Sequence, residues 1–198
     1  GNLARLAEDR FLLTAADQTL RWLRMNGAGL GVQVEDVSED LAALAVQGPL
    51  SRDVLERVTG QDWKDLRYFG HRRSEVVGVE IDVTRTGFTG DLGYELWVPR
   101  EGGVAVWDAV WEAGQDFGVR PIGIRALDIA RVEAGLIMVD AEYTSARHAT
   151  STAPDEFYSP FEIGLGRLVD FGGVRREVCL RRSDPGRHRV AGADGADR

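Results

Sequence analysis

The fold class is decided by residues 75–98, which read EVVGVEIDVTRTGFTGDLGYELWV. Two apolar-rich stretches, 75–79 and 80–86, are followed by a loop punctuated with glycine and then by a third stretch, 94–98. Apolar runs bounded by glycine are typical of short strands joined by tight turns. Strands joined in this way pair antiparallel, so the segment indicates a mixed or antiparallel sheet rather than a parallel one.

Helical and strand patterns flank this segment on both sides. Residues 32–35 alternate like a half-buried strand, and the apolar run 41–46 suits a more buried one. Ser51 is placed to cap a short helix. Two longer helices are predicted from about 103 to 114 and from about 122 to 134, the second with proline at its entrance and glycine at its exit. The sequence therefore predicts an α+β fold.

Length and charge limit the function classes. The chain has 198 residues, a formal net charge of −8 and 43% hydrophobic residues, which are ordinary values for one globular domain or slightly more. Nucleic-acid binding rests on clustered basic residues, so the acidic balance argues against a nucleic-acid partner. No apolar run approaches the roughly 20 residues that a membrane-spanning helix requires, so we expect no membrane partner.

Cysteine and histidine offer no metal site. Cys179 is the only cysteine, and the histidines His71, His148 and His188 share no metal-like spacing. His71 lies beside two arginines and is expected to be a solvated surface residue. The first residues have neither the basic nor the apolar region of a secretory signal, so a cytoplasmic location is expected.

The C-terminal stretch differs from the rest in composition. We expect one domain over residues 1–171, followed by a tail rich in Arg, Gly and Asp over residues 172–198 that is disordered. Such a tail is either simply solvated or a basic arm that binds a partner.

Glu95 is the first candidate for a functional residue. It lies in a strand with largely apolar neighbours, where an unpaired buried carboxylate would cost several kcal/mol. Such a carboxylate can accept two parallel N–H bonds from a planar amino-heterocycle, as it does from a guanidinium. The alternative is a carboxylate that faces water or pairs with Arg85.

Two further patterns each allow two interpretations. Gly87, Gly90 and Gly93 are spaced as in a phosphate loop, but a strand rather than a helix follows them, which favours a hairpin turn. Arg125, Asp128 and Arg131 share one face of a predicted helix and form either an ion-pair ladder or a polar wall of a pocket.

Four segments, taken together and in order, resemble the aminomethyltransferase family, which comprises the T-protein of the glycine cleavage system and its folate-binding relatives. They are LAVQGP at 44–49, RTGFTGDLGYEL at 85–96, PIGIRALDIARVEAGL at 121–136 and SPFEIGLG at 159–166. Four motifs in one order are far more specific than any one alone. The resemblance implies that residues 1–171 form a folate-binding domain with ferredoxin-like elements, and that this domain is incomplete.

The resemblance further implies a tetrahydrofolate-dependent transferase that moves a one-carbon unit, aminomethyl or methyl. Glu95 is then expected to hydrogen-bond the amino and ring N–H groups of the pterin, and Phe88 to flank the folate. Tyr94 and Arg125 complete the residues expected at this cofactor. Besides folate, the implied partner is a lipoyl carrier protein or an amine or ether methyl donor.

Departures from the T-protein pattern bear on that donor. Phe88 stands where many T-proteins have tyrosine, and Leu127 replaces an arginine. The Arg-Ala-Leu-Asp run at 125–128 is similar to the sarcosine and dimethylglycine oxidase or demethylase branches, which use a different methyl donor. A folate-binding or assembly protein without turnover is the alternative from another class.

The resemblance also implies missing parts. We expect the family's opening segment, whose Asp-Asp stretch supplies the catalytic aspartate, to precede residue 1, and the C-terminal barrel to be absent. No residue of this chain is therefore assigned a catalytic role.

Overall fold

A computed structural model describes residues 1–16, 19–144 and 158–169. The chain divides into two compact units, Gly1–Ile137 and Met138–Arg198. The tail predicted over 172–198 lies outside the described residues, so the prediction of disorder there stays a prediction.

The first unit contains a two-stranded hairpin, a four-stranded sheet and four α-helices. In chain order these elements are β1 (Asn2–Arg5), β2 (Phe11–Thr14), α1 (Leu20–Gly27), β3 (Leu41–Gln47), α2 (Ser51–Thr59), β4 (His71–Val76), β5 (Val79–Thr84), β6 (Gly93–Pro99), α3 (Gly103–Gly114) and α4 (Ile124–Glu133). β1 pairs with β2, and the larger sheet has the order β3-β6-β5-β4 with every neighbouring pair antiparallel. The predicted α+β class with antiparallel sheets is confirmed.

One face of the larger sheet forms the core of this unit. Alternate side chains along β6, such as Tyr94 and Leu96, point to this face, as the two-residue period of a strand requires. The helices α2 and α3 supply buried apolar residues to the same core. The buried set comprises Val46, Val54, Leu55, Trp63, Leu66, Val76, Ile81, Val83, Tyr94, Leu96, Val98, Val106 and Val110.

The intervening side chains of the strands point to the opposite face. One row across the four strands consists of His71, Thr84, Glu95 and Ala45, which are cross-strand partners in the register. The next row consists of Arg73, Asp82, Trp97 and Ala43. We call this surface the polar face of the sheet, because most of its side chains carry polar atoms.

Local predictions differ from the structure at three places. Residues 32–35 form no strand, and no described strand lies beside them to pair with their backbone. β4 begins at His71 and ends at Val76, several residues earlier than predicted, and a turn at Val77 and Gly78, both with positive φ, leads into β5. Ser51 is the first residue of α2 rather than its cap, and its hydroxyl instead donates to the Leu92 carbonyl at 3.1 Å.

The described part of the second unit is small. Val139 and Tyr143 form an isolated bridge, and Glu162 accepts hydrogen bonds from the Ser159 amide at 2.7 Å and from its hydroxyl at 2.8 Å. Ser159 and Glu162 both belong to the SPFEIGLG motif, so the motif forms a turn that is closed by its own side chains. Within the described ranges, no helix is long and apolar enough to cross a membrane.

Candidate functional site

Glu95 lies near the middle of β6, and its half-buried side chain points to the polar face. Its carboxylate atom Oε2 accepts hydrogen bonds from the Thr86 hydroxyl and, at 3.2 Å, from the Asn2 side-chain amide. The second oxygen, Oε1, accepts no hydrogen bond from any residue in the described ranges. The carboxylate is therefore held on one side and has an acceptor to spare on the other.

Arg85 is not the partner of Glu95. Its guanidinium Nη1 instead donates to the Leu66 carbonyl at 2.9 Å. The interpretation of Glu95 as a carboxylate paired with Arg85 is therefore not supported by the contacts in the described residues.

The glycine-rich loop 87–93 joins the antiparallel strands β5 and β6, as expected of a hairpin-type connection. Gln47, the last residue of β3, lies against both ends of this loop. Its amide donates to the Thr86 carbonyl at 3.3 Å and to the Tyr94 carbonyl at 3.2 Å. A Cβ atom at Gly87 or Gly93 would overlap the Gln47 amide, so glycine at these positions permits the close approach.

The middle glycine of the loop meets α4. Gly90 has φ of +83°, and a Cβ added there would lie 2.5 Å from the Cβ of Ala134, the residue that follows α4. The loop therefore contacts β3 at its two ends and the end of α4 at its tip. This arrangement fixes the loop beside Glu95.

A cleft of about 300 Å³ opens beside the loop. Thr86 belongs both to the wall of this cleft and to the hydrogen-bonded surroundings of Glu95, so the two features are adjacent. The cleft is open rather than enclosed, and it has both a cation and aromatic and apolar side chains in its wall. The lining residues are Tyr68, Arg85, Thr86, Gly87, Gly90, Asp91, Leu92, Gly93 and Leu136.

The other three residues expected at the cofactor are placed differently. Phe88 is half-buried in the glycine-rich loop, close in sequence to Thr86. Tyr94 is fully buried in the core on the opposite side of the sheet from Glu95, where it contacts Trp63 edge to face. Arg125 is exposed on α4, and no side chain in the described ranges forms a hydrogen bond or an ion pair with it.

The charged residues of α4 do not form one continuous series of ion pairs. Arg131 is 4% exposed and donates to Asp128 at 2.7 Å and to the Leu136 carbonyl at 3.2 Å. This ion pair and the hydrogen bond past the end of the helix hold the segment that contacts Gly90. Arg125 takes no part in that pair.

The prediction that His71 is solvated is wrong. His71 is not a solvated surface residue, because its side chain is 17% exposed and its Nε2 lies 2.7 Å from Asp82 on the polar face. Cross-strand pairing on β4 and β5 places the two residues diagonally opposite, which the pair of flanking arginines in the sequence did not suggest. The described residues contain no cluster of His, Cys, Asp and Glu that could hold a metal ion.

Resolved pKa shifts lie away from Glu95. The hydrogen bond from Arg72 lowers the pKa of the exposed Asp65 carboxyl, and the hydrogen bond to the Tyr94 hydroxyl raises the pKa of Arg52. Both shifts belong to ion pairs and hydrogen bonds that support the core side of the sheet.

Sequence reasoning missed four residues around Glu95. Asn2, Thr84 and Thr86 form hydrogen bonds with Glu95, and Gln47 forms them with the Thr86 and Tyr94 carbonyls. Thr86 and Thr84 could have been found from strand alternation, because a two-residue period places them on the same side as one another. Asn2 and Gln47 carry no such signal, since their approach depends on contacts across 93 and 39 residues of sequence.

Comparison with known proteins identifies the family. A sequence model described as the GCVT N-terminal domain matches residues 1–172, which is most of the chain. This chain belongs to the GCVT N-terminal domain family. The resemblance drawn from the four motifs is confirmed.

The relatives of this GCVT N-terminal domain chain include two kinds of enzyme, aminomethyltransferases and a trimethylamine-oxide aldolase. It is 32% identical over 174 residues to an aminomethyltransferase of Caldanaerobacter subterraneus, covering 86% of this chain and 44% of the relative. It is 33% identical over 170 residues to an aminomethyltransferase of Clostridium botulinum, covering 83% and 43%. It is 34% identical over 212 residues to a trimethylamine-oxide aldolase of Ruegeria pomeroyi, covering 98% and 25%. The chain thus spans less than half the length of these curated relatives.

Proposed function

We propose that this chain is the folate-binding part of a tetrahydrofolate-dependent one-carbon transferase similar to the T-protein of the glycine cleavage system. The observation that carries the proposal is Glu95, a half-buried carboxylate on a sheet face with Oε1 unoccupied by any described residue. The family membership and the aminomethyltransferase relatives support it.

A carboxylate in this setting suits the pterin ring of folate. The ring presents an amino group and a neighbouring ring N–H side by side, and a carboxylate can accept both as charge-assisted hydrogen bonds. Partial burial strengthens such bonds, because water competes less for the carboxylate oxygens. Glu95 would therefore fix the position and the orientation of the ring at once.

Phe88 and Tyr94 support the ring in different ways under this proposal. Phe88 lies in the same loop as the cleft residues, so its half-buried ring is available for packing against a planar heterocycle. Tyr94 is in the core, and it would act from behind the sheet by holding β6 and its neighbour Glu95 in place.

Arg125 fits the acidic end of the cofactor. Folate ends in carboxylates, and an exposed guanidinium with no partner among the described residues suits them. Arg125 and Ala134 are nine residues apart, which corresponds to about 13 Å along a helix axis. A molecule as elongated as folate can span that separation between the loop tip at Gly90 and Arg125.

The chain's own residues would bind and orient the cofactor. Tetrahydrofolate, when bound, supplies the nitrogen that exchanges the one-carbon unit. Glu95, Phe88 and Arg125 would hold it in one orientation, and positioning of this kind lowers a barrier by avoiding entropy loss in the reaction step. The donor in the T-protein-like case is a lipoyl carrier protein.

A second candidate reaction has its own supporting observation. The trimethylamine-oxide aldolase relative is 34% identical to this chain and aligns with 98% of it. The same folate site would then serve a methylated amine rather than a carrier-bound aminomethyl group. This agrees with the Arg-Ala-Leu-Asp run at 125–128, which is similar to the demethylase branches.

The proposal is tested by titrating this chain with tetrahydrofolate and following binding by calorimetry. We expect saturable binding that Glu95→Ala and Glu95→Gln each weaken at least about tenfold, which corresponds to about 1.4 kcal/mol. Glu80→Ala is the matched control, because Glu80 is an exposed glutamate on β5, and it should bind like the wild type. Equal binding by the wild type and both Glu95 variants would remove Glu95 from the site.

A further inference from the structure

A series of hydrogen bonds that runs through two buried threonines ends at the Glu95 carboxylate. The Trp97 indole Nε1 donates to the Thr84 hydroxyl at 3.2 Å, and the Thr84 and Thr86 hydroxyl oxygens are 2.8 Å apart. The Thr86 hydroxyl then donates to Oε2 of Glu95. Thr84 and Thr86 are 5% and 4% exposed, so these hydroxyls have little access to water.

The chemistry of the two ends fixes the direction of every proton in the series. An indole N–H can only donate, and an ionised carboxylate can only accept. Thr86 uses its single proton on Glu95, so in the pair of hydroxyls Thr86 accepts and Thr84 donates. The backbone carbonyl of Glu95 also lies within reach of the Thr84 hydroxyl, but at 3.5 Å it is a more distant acceptor than Thr86 at 2.8 Å. All donors therefore point towards Glu95, and hydrogen bonds aligned in this way polarise and strengthen one another.

The lone pairs of Glu95 can be counted. Each carboxylate oxygen accepts about two hydrogen bonds. Oε2 already accepts two, from Thr86 and from Asn2. A ligand that donates two parallel N–H bonds, one to each oxygen, can use Oε1 as it stands but must replace one of these donors on Oε2.

We propose that Thr86, held by Thr84 and Trp97, is the positioning residue that keeps Glu95 oriented for its ligand, and that the ligand's N–H donor replaces the Asn2 amide on Oε2. The inference rests on the proposed function only in that the ligand is a planar heterocycle with two adjacent N–H donors. It assigns opposite roles to two residues that donate to the same atom.

The surroundings of the two donors explain why Asn2 rather than Thr86 gives way. Thr86 is buried, so a hydroxyl that lost Glu95 could not turn to water. It could donate only to the Thr84 hydroxyl, whose own proton would then have to turn to the more distant Glu95 carbonyl at 3.5 Å, which is a costly exchange. Asn2 is half-buried in the separate hairpin of β1 and β2, so its amide can turn to water. Replacing the Asn2 bond therefore costs less than replacing the Thr86 bond.

The test compares three variants of this chain in the tetrahydrofolate titration. Thr86→Val removes the donor at nearly constant shape and should weaken binding about tenfold or more. Thr86→Ser restores a hydroxyl and should bind within about threefold of the wild type. Asn2→Ala frees the second lone pair of Oε2 and should bind severalfold more tightly than the wild type. Thermal unfolding of each variant confirms that it is folded.

Trp97 supplies a second readout at the far end of the series. Its indole N–H resonance should shift when tetrahydrofolate binds the wild-type chain, and Thr84→Val should abolish that response. If Thr86→Val does not fold, Trp97→Phe interrupts the same series and should weaken binding about threefold.

The outcomes separate the two proposals. If the wild type does not bind tetrahydrofolate, or Glu95→Ala binds equally well, the proposed function itself fails, and this inference fails with it. If Glu95→Ala loses binding but Thr86→Val binds like the wild type, only the positioning role is overturned. The same holds if Asn2→Ala weakens binding as much as Thr86→Val does, because both donors would then merely hold the carboxylate.

Discussion

Single side chains determine the chemistry of the polar face. Glu95 and Tyr94 are adjacent in sequence, yet Glu95 lies on the polar face of the sheet and Tyr94 is buried in the core. A carboxylate beside a buried aromatic residue is thus kept away from the core by strand alternation alone. The same alternation places two threonines near it as hydrogen-bond donors. Strand alternation thus decides which side chains reach the candidate site.

Arg125 offers a prediction at this scale. Arg125→Met keeps an unbranched, flexible side chain but removes the guanidinium and its charge. It should weaken tetrahydrofolate binding about three- to tenfold by removing the partner of the tail carboxylates. Because Arg125 is exposed and has no described partner, the free energy of unfolding should change by less than about 0.5 kcal/mol. Calorimetry and urea denaturation measure the two quantities.

Arg120→Met is the matched control for this substitution. Arg120 is also exposed and forms no ion pair or side-chain hydrogen bond in the described part of the chain, but it precedes α4 rather than lying on it. The proposed role of Arg125 is contradicted if both variants bind equally well, or if the loss for Arg125→Met persists unchanged at 1 M salt.

At the scale of elements, the glycine-rich loop is held by contacts with neighbouring elements. Gln47 at the end of β3 fixes both ends of the loop, and the end of α4 meets its tip. Two distant segments of the chain thus determine where the loop places Thr86 and Phe88. A loop supported in this way is positioned before any ligand arrives, which would lower the entropy cost of the binding proposed here.

Gly93→Ala tests this support. The added Cβ would push the Gln47 amide away and break its hydrogen bonds to the Thr86 and Tyr94 carbonyls. The free energy of unfolding should therefore fall by about 1–2 kcal/mol. In a Gln47→Ala background the same substitution should cost less than about 0.5 kcal/mol, because nothing remains to be displaced. Urea denaturation of the four proteins gives this double-mutant cycle.

Gly123→Ala is the control for the glycine substitution. Gly123 has extended backbone, and a Cβ there would meet no heavy atom within 4 Å. The free energy of unfolding of the Gly123→Ala variant should differ from that of the wild type by less than about 0.5 kcal/mol. A cost for Gly93→Ala that stays the same without Gln47 would show that the loop is supported by something other than this amide.

Prediction from sequence succeeded where the pattern was local and long. The helix over 103–114 and the strand over 41–46 were predicted within one residue, because apolar period and glycine boundaries agree there. The strand at 32–35 was wrong, since four alternating residues form a strand only if another strand lies beside them. Glu95 was found because a carboxylate in an apolar strand is unusual, whereas Asn2 approaches it from another sheet.

At the scale of the whole molecule, the larger sheet has an edge at β3. The hydrogen bonds from the Gly48 amide to Leu92 and from the Arg100 amide to Asp40 fix the pairing pattern, so Leu44 and Val46 direct their backbone groups to β6. Ala43 and Ala45 direct theirs outward. No backbone group within the described ranges pairs with them, and an uncharged edge of this kind is a template for another strand.

Hydrogen exchange along β3 shows whether the sheet ends there in solution. The amides of Leu44 and Val46 should exchange slowly, because they open only with the sheet, and those of Ala43 and Ala45 should exchange at least about a hundredfold faster. Nuclear magnetic resonance at two protein concentrations measures this alternation residue by residue. Slow exchange at all four amides would contradict the four-stranded sheet. If the protection of Ala43 and Ala45 rose with concentration, a second copy would supply the extra strand, and if it did not, the strand would come from the same chain.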